Sequence, residues 1–394
     1  MINLEIKDNN LFHTMLKVIL YFGFAVYPVY LVPSGNIQVT HYLFLIFTIL
    51  VFLFIGIQLD KYFYTFLLFL IYAVLVNIFY ISKDIYEFGY ASIKYAEGIL
   101  FLTYNFILTI SLMSYFSHQK KLNVIIYGLA TAISIILFSI FYQYFFGTLD
   151  YRYEGYFNNP NQLGYYSVCC FSLIYLLYRN LYIPYFLMIV ATTTVVFFSI
   201  LTLSKAAFIS LFLCIIFVIK PFNYKYSKII MTIIVLSVIF FMVLFYNQII
   251  ETHVFSRLIN TLSENDSSLK VRGYLVFFEA NFLEKIFGMG PKRIYEVQGY
   301  EVHSTLMMIL SSFGLIGLLI FCLLLLFWVL EINKAYGLNG VICICAPSLL
   351  YGLTHNGIRF VMFWIVFAIS IFLSKELIKK KIFKTNKISI TLSK

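Results

Sequence analysis

Apolar residues run in blocks of about twenty along most of this 394-residue chain, with short polar turns between them. A helix rises about 1.5 Å per residue, so a hydrocarbon core about 30 Å thick takes roughly 20 apolar residues to cross. The blocks predict about twelve membrane-spanning helices, over residues 14–32, 40–57, 62–81, 90–116, 122–146, 161–178, 182–202, 206–219, 228–246, 303–330, 339–354 and 358–374. The block 206–219 is short, and the last two nearly fuse at His355-Asn356-Gly357. No small-residue cleavage site follows the first block, which is therefore expected to be a retained helix. The expected fold is all-α: a single polytopic membrane domain over 1–394.

One polar stretch breaks the pattern. From about Tyr246 to Glu301 the chain carries Arg257, Arg272 and Arg293 and then reaches His303. Residues 247–302 are expected to form a large loop outside the membrane, between the ninth and tenth spans. A transporter or channel has little need of such a loop. An enzyme acting on a lipid-attached substrate at the membrane face does.

Composition agrees with the pattern. Hydrophobic residues make up 62% and charged residues 11%, against about 25% charged in soluble domains. Lys and Arg counts in the loops set the orientation. With a cytoplasmic N-terminus, the inner segments hold Lys7, Lys17, Lys61, Lys120, Lys121, Arg179, Lys220, Lys225, Lys228, Lys334 and the tail lysines, against few acids. Both termini are therefore expected inside, and the basic tail 375–394 is expected to sit near anionic headgroups rather than on nucleic acid. Five of the six arginines (Arg152, Arg257, Arg272, Arg293 and Arg359) fall on the outer side, where lysine would serve topology equally well. The guanidinium fork suits bidentate binding of phosphate or carboxylate, so the outer face reads as built to hold an anion. The six cysteines all fall inside predicted spans and imply no disulfide framework.

Several outer loops offer chemistry. Lys94 and Glu97 are three apart and suit an ion pair on one helical face. The run Tyr151-Arg152-Tyr153-Glu154-Gly155-Tyr156-Phe157-Asn158-Asn159-Pro160-Asn161-Gln162 combines a cation, a carboxylate, tyrosines and amides, the mixture that recognises carbohydrate. Asn161 either caps the sixth span or faces a ligand. Lys205, after Thr202-Leu203-Ser204, either snorkels to the interface or contacts phosphate. In the long loop, Val271, Leu275, Phe278, Phe282 and Ile286 repeat at helical spacing and predict an amphipathic helix over about 269–287, stopped by Gly288, Gly290 and Pro291. That helix can lie on the membrane surface or on the bundle, with Arg272 in its first turn. His303 opens the tenth span as a base of near-neutral reference pKa or as a cap. His355 and Arg359, at the last outer turn, are candidates of the same kind.

These residues resemble the O-antigen ligase and Wzy-type polymerase superfamily of bacterial surface-polysaccharide assembly. The likeness is carried by Ser256-Arg257-Leu258, Ser267-Ser268, Arg272, Phe287-Gly288-Met289-Gly290-Pro291, His303-Ser304-Thr305 and Phe313-Gly314-Leu315-Ile316-Gly317. Gly155-Tyr156-Phe157-Asn158-Asn159-Pro160-Asn161 resembles the family's upstream motif. The motifs cover roughly residues 150–330. The resemblance implies a bundle of ten to fourteen helices whose large periplasmic loop covers the site, in the bacterial inner membrane. It also implies C-type glycosyl transfer from undecaprenyl-pyrophosphate-linked glycans, with no cofactor and no metal.

Residue by residue, the resemblance puts the loop arginine on Arg272 and the histidine on His303. Where ligases carry an arginine after the seventh span, this chain has Ser204-Lys205, which keeps the charge but loses the fork. Ligases read His-Asn after the long loop, whereas this chain reads His303-Ser304, which favours a polymerase. In the expected mechanism Arg272, helped by Lys205, Arg152 or Arg257, neutralises the leaving pyrophosphate. His303 takes the acceptor's proton, and Asn158 and Asn161 orient sugars. The alternatives are a ligase joining glycan to lipid A-core and, from another class, a flippase or transporter. Chain-length control is expected to involve a separate regulator.

Overall fold

The computed structural model describes residues 10–33, 36–89, 93–146, 152–219, 273–291, 294–295, 299 and 302–392. Among them there is no strand, and the fold is all-α. The first eight helices are α1 (Asn10–Ala25), α2 (Val39–Phe54), α3 (Lys61–Phe88), α4 (Ile93–Gln119), α5 (Asn123–Phe145), α6 (Pro160–Arg179), α7 (Tyr185–Leu201) and α8 (Lys205–Ile219). Two short helices, α9 (Tyr274–Glu279) and α10 (Phe282–Phe287), precede the long α11 (Thr305–Gly340). A π-helical stretch (Val341–Cys345) leads into α12 (Ala346–Gly352), and α13 (Val361–Leu392) closes the chain. Among the described residues five helical stretches are long and apolar enough to cross a membrane: 61–87, 95–119, 123–145, 305–352 and 361–382. α1, α2 and α7 are shorter apolar helices. The predicted block 228–246 lies outside the described residues.

α6 and the first half of α13 form the centre. Leu163 to Leu177 and Val361 to Ser374 are buried without interruption, as expected of helices that are apolar all round. Trp364 stacks on Phe66 at 4.6 Å, and Trp328 Nε1 donates to Ser370 Oγ at 2.7 Å. The second bond satisfies the one polar atom of a fully buried indole. All six cysteines are free thiols, and only Cys322 is exposed.

Three boundaries differ from the periodicity. The first block was expected to stay helical to residue 32, yet α1 ends at Ala25, shortly before Pro28, whose ring disfavours helix in the residue preceding it. α3 continues about two turns past residue 81 to Phe88, closed by Gly89 at φ 75°. Lys83 and Glu87 pair along it at 3.7 Å. The amphipathic helix expected over 269–287 is two short helices in its described part. Ala280 is extended, and Asn281 starts a second helix by accepting from Glu284 N while Glu284 Oε2 accepts from Asn281 N. This capping box is stronger local chemistry than the apolar spacing that suggested continuity. Arg257, Arg272 and Arg293 lie outside the described residues, as does the Lys94 side chain.

α11 is also broken. Gly314 (φ 66°, ψ −169°) and Gly337 (φ 71°, ψ −172°) leave helical geometry within an apolar run. At the first break a Cβ on Gly314 would lie 2.2 Å from Ile286 O, and one on Gly288 would lie 2.2 Å from Ser312 O. Two glycines thus let the turn after α10 press backbone to backbone against α11.

The two ends of the bundle differ chemically. At one end Lys61 pairs with Glu331 (2.9 Å), Lys120 with Glu376 (3.7 Å) and Lys375 with Asp60. Lys381 Nζ donates to Ala335 O at 2.7 Å, and Arg179 Nη1 to Tyr175 OH at 3.0 Å. The other end gathers the Tyr153–Pro160 loop, the α7–α8 turn, the start of α11 and the turn before α13.

Candidate functional site

The site begins at the N-terminus of α6. Asn159 is its N-cap, extended at φ −161°, with Oδ1 accepting from Asn161 N at 2.8 Å, and Pro160 fills the first helical position. Asn159 therefore does the capping considered for Asn161. The Asn161 side chain accepts instead from Arg152 Nη2 at 3.0 Å, while Arg152 Nε donates to Thr202 O at 3.1 Å. Two arms of one guanidinium tie the loop before α6 to the α7–α8 turn. Tyr153 N adds a bond to Leu201 O at 3.1 Å. The Tyr153 hydroxyl reaches Ser139 Oγ at 2.8 Å, and burial pushes that phenol up to about 12. It is a neutral anchor.

The α7–α8 turn is tight. Leu203 sits at φ 52°, a left-handed conformation uncommon outside glycine and a local source of strain. Thr202 Oγ1 donates to Ser199 O (2.8 Å) and accepts from Ser204 N (3.3 Å), and Ser204 Oγ accepts from Ala207 N (3.4 Å). Lys205 is thereby the exposed first residue of α8. A cation at a helix N-terminus opposes the helix dipole, a conflict that a bound anion would relieve.

Tyr351 joins this arm to the last outer turn. Its hydroxyl donates to Asn161 O at 2.8 Å and lies 3.3 Å from Ser204 Oγ. Its ring stacks between His355 (4.4 Å) and Tyr165 (4.7 Å), and Tyr165 stacks on Phe360 (4.7 Å). His355 Nδ1 is 2.9 Å from Thr354 Oγ1. The His355 carbonyl accepts from Thr305 N (3.2 Å) and Thr305 Oγ1 (2.8 Å), and Thr305 Oγ1 accepts from Gly357 N (2.6 Å). Ile358 O accepts from Asn105 Nδ2 and Trp364 Nε1, both at 2.8 Å. Arg359 then lies over the Phe101 ring at 5.1 Å, a cation–π geometry.

His303 is exposed and precedes Ser304, the α11 N-cap, whose hydroxyl accepts from Met307 N. It is two residues from Thr305, so its backbone lies within roughly 7 Å of the residue that holds His355. Asn158 Nδ2 donates to Val32 O at 2.6 Å, and Tyr30 N donates to Tyr156 O at 3.0 Å. The Asn158 amide braces the first outer loop.

The structure therefore brings together Arg152, Asn161, Lys205, His355 and the 303–305 segment, with Arg359 on the adjoining turn. Arg257 and Arg272 lie outside the described residues. Tyr351, Tyr165 and Asn105 were not singled out in the sequence, and Thr305 figured only within the His303-Ser304-Thr305 motif, with no role of its own. The Gly164-Tyr165 and Tyr351-Gly352 pairs were the available signal: a Cβ on Gly164 would lie 3.1 Å from Tyr351 OH, and one on Gly352 would lie 3.2 Å from Thr305 Oγ1. Among the described residues no three His, Cys, Asp or Glu side chains gather as a metal-ligating group. No protein-family model matches the chain, and no curated protein matches it at a significant level.

Proposed function

We propose that this chain is a glycosyltransferase of surface-polysaccharide assembly, of the polymerase kind. It moves a growing glycan from undecaprenyl pyrophosphate onto a lipid-linked repeat unit. In this reading about twelve helices cross the bacterial inner membrane, both termini are cytoplasmic, and the lysine-paired end faces the cytoplasm. The observation that carries it is the meeting of Arg152, Asn161, Lys205 and His355 at the end opposite the paired lysines, beside the segment headed by His303. Cationic, amide, imidazole and stacked aromatic groups in one place suit a pyrophosphate next to sugars.

The acceptor hydroxyl oxygen attacks the anomeric carbon of the donor glycan. The bond from that carbon to the pyrophosphate oxygen breaks, and lipid pyrophosphate departs with the electron pair. His303 takes the hydroxyl proton. Direct displacement inverts the anomeric centre. Arg272 and Lys205, with Arg152 and Arg257, stabilise charge growing on the leaving group. Asn158, Asn161 and the tyrosines orient the sugars.

A gel ladder of surface polysaccharide from a deletion strain tests this. Core plus one repeat, restored to a full ladder by wild type but not by Arg272→Ala or His303→Ala, is the expected result. Bare core would indicate a ligase or flippase instead, and an unchanged ladder would sink the reading.

A further inference from the structure

We propose that residues 274–291 form a re-entrant hairpin within the bilayer half remote from the lysine-paired end, with Phe278, Phe282, Leu283 and Phe287 in lipid. These four side chains are 67%, 74%, 64% and 51% exposed. Three phenylalanines and a leucine crowded on so short a segment are more than a soluble surface tolerates without a partner. The opposite side is seated in protein: Val276, Glu284, Met289 and Ile294 are buried.

Depth follows from helix geometry. Lys61 and Glu331 pair at one end of the bundle and give a common origin along α3 and α11. Gly314, which touches the hairpin, is seventeen residues before Glu331, about 25 Å along the axis at 1.5 Å per residue. On α3, Tyr72 and Tyr80 are eleven and nineteen residues beyond Lys61, about 17 and 28 Å. Tyr72 OH donates to Phe287 O at 3.0 Å and Tyr80 OH to Gly288 O at 2.7 Å. Both routes put the Phe287-Gly288 turn inside a hydrocarbon layer about 30 Å thick.

Irregular backbone survives at that depth only where the protein satisfies its polar groups. The turn meets this condition. Gly288 N donates to Glu284 O (2.8 Å) and Met289 N to Ser311 O (2.9 Å), while the two tyrosines cover the Phe287 and Gly288 carbonyls. The break at Gly314 belongs to the same device, because it lets α11 accept the turn. Exposed apolar side chains also line the two helices that hold the turn: Leu75, Ile78 and Phe79 of α3, between the two tyrosines, and Leu319 of α11, five residues past Gly314. The bilayer's acyl chains are therefore the occupant. This inference stands apart from the glycan reading.

Tryptophan quenching tests it on the purified chain in phosphatidylcholine vesicles with brominated acyl chains. Native Trp328 and Trp364 are buried and give a constant background. Phe282→Trp and Leu283→Trp should each be quenched at least half as strongly as the lipid-facing reference Leu319→Trp. Aqueous acrylamide should quench them less than Tyr86→Trp, which lies beyond the bilayer on α3. Strong acrylamide quenching with weak bromine quenching would overturn the proposal in favour of a water-exposed loop. Protection from both quenchers would overturn it in favour of cover by another segment or a second copy. Two variants guard against one that fails to fold.

Discussion

The two ends of the bundle are held by different means. At the lysine-rich end, flexible cations meet acids: Lys61 with Glu331, Lys120 with Glu376, Lys375 with Asp60. The two pairs with an exposed lysine, Lys61–Glu331 and Lys120–Glu376, contribute about 0–1 kcal/mol each, whereas Lys375–Asp60 is half-buried. At the opposite end, buried or half-buried side chains bind backbone carbonyls and one another: Arg152 to Thr202 and Asn161, Asn105 and Trp364 to Ile358, Thr305 to His355 and Gly357. Removing such a group strands its partner, at about 1–3 kcal/mol. One end is built to be anchored, the other to keep a shape. Among the described residues the acid-paired lysines lie at the first end, while Arg152, Arg359 and His355 lie at the second.

Substitutions at the two ends should differ in effect. The largest effect is expected from Gly314→Val, which combines a left-handed backbone with a Cβ 2.2 Å from Ile286 O. A loss of more than about 3 kcal/mol should appear as failure to accumulate a monodisperse protein in detergent. Asn105→Leu comes next. It leaves the Ile358 carbonyl to Trp364 alone and should lower stability by about 0.5–1.5 kcal/mol in a thermal-unfolding assay, with loss of polymer. Arg152→Lys keeps charge but cannot hold Asn161 and Thr202 with one fork. It should fold normally and shorten the polysaccharide ladder, with polymer falling on the order of tenfold for about 1.4 kcal/mol. Tyr351→Phe removes the bonds to Asn161 and Ser204 but keeps the His355 stack, for about 1 kcal/mol and a smaller loss of polymer. Lys61→Ala, at the other end, should change stability by under about 1 kcal/mol and leave the ladder intact. A Lys61→Ala effect as large as that of Asn105→Leu would erase the distinction.

Much of this contrast could be read from the chain. Long apolar blocks mark where helices form, and the loop charges point to which turns share an end, as with the turns that hold Arg152 and Arg359. Arg152 and Asn161 are close enough in sequence to be suspected together. The rest depends on contacts between distant segments. Nothing local says that Asn105 holds the carbonyl of Ile358, or that Thr305 holds His355. Tyr351 and Tyr165 stand among 33 tyrosines, so composition gives them no contrast. The Gly314 break hides in an apolar run where a glycine is ordinary. The division of the 269–287 segment was legible: Asn281 followed three residues later by Glu284 is a helix start, and apolar spacing alone overlooked it.

We propose that the arginine- and histidine-bearing end joins glycans carried on lipid pyrophosphate. The most direct measurement reconstitutes the purified chain in vesicles with lipid-linked repeat units and no nucleotide sugar. A ladder of lipid-linked polymer is expected, with one undecaprenyl pyrophosphate released per bond formed, and lost in His303→Ala and Arg272→Ala. Repeat units that cross the bilayer unjoined, or a substrate left unchanged by a well-folded wild type, would contradict it.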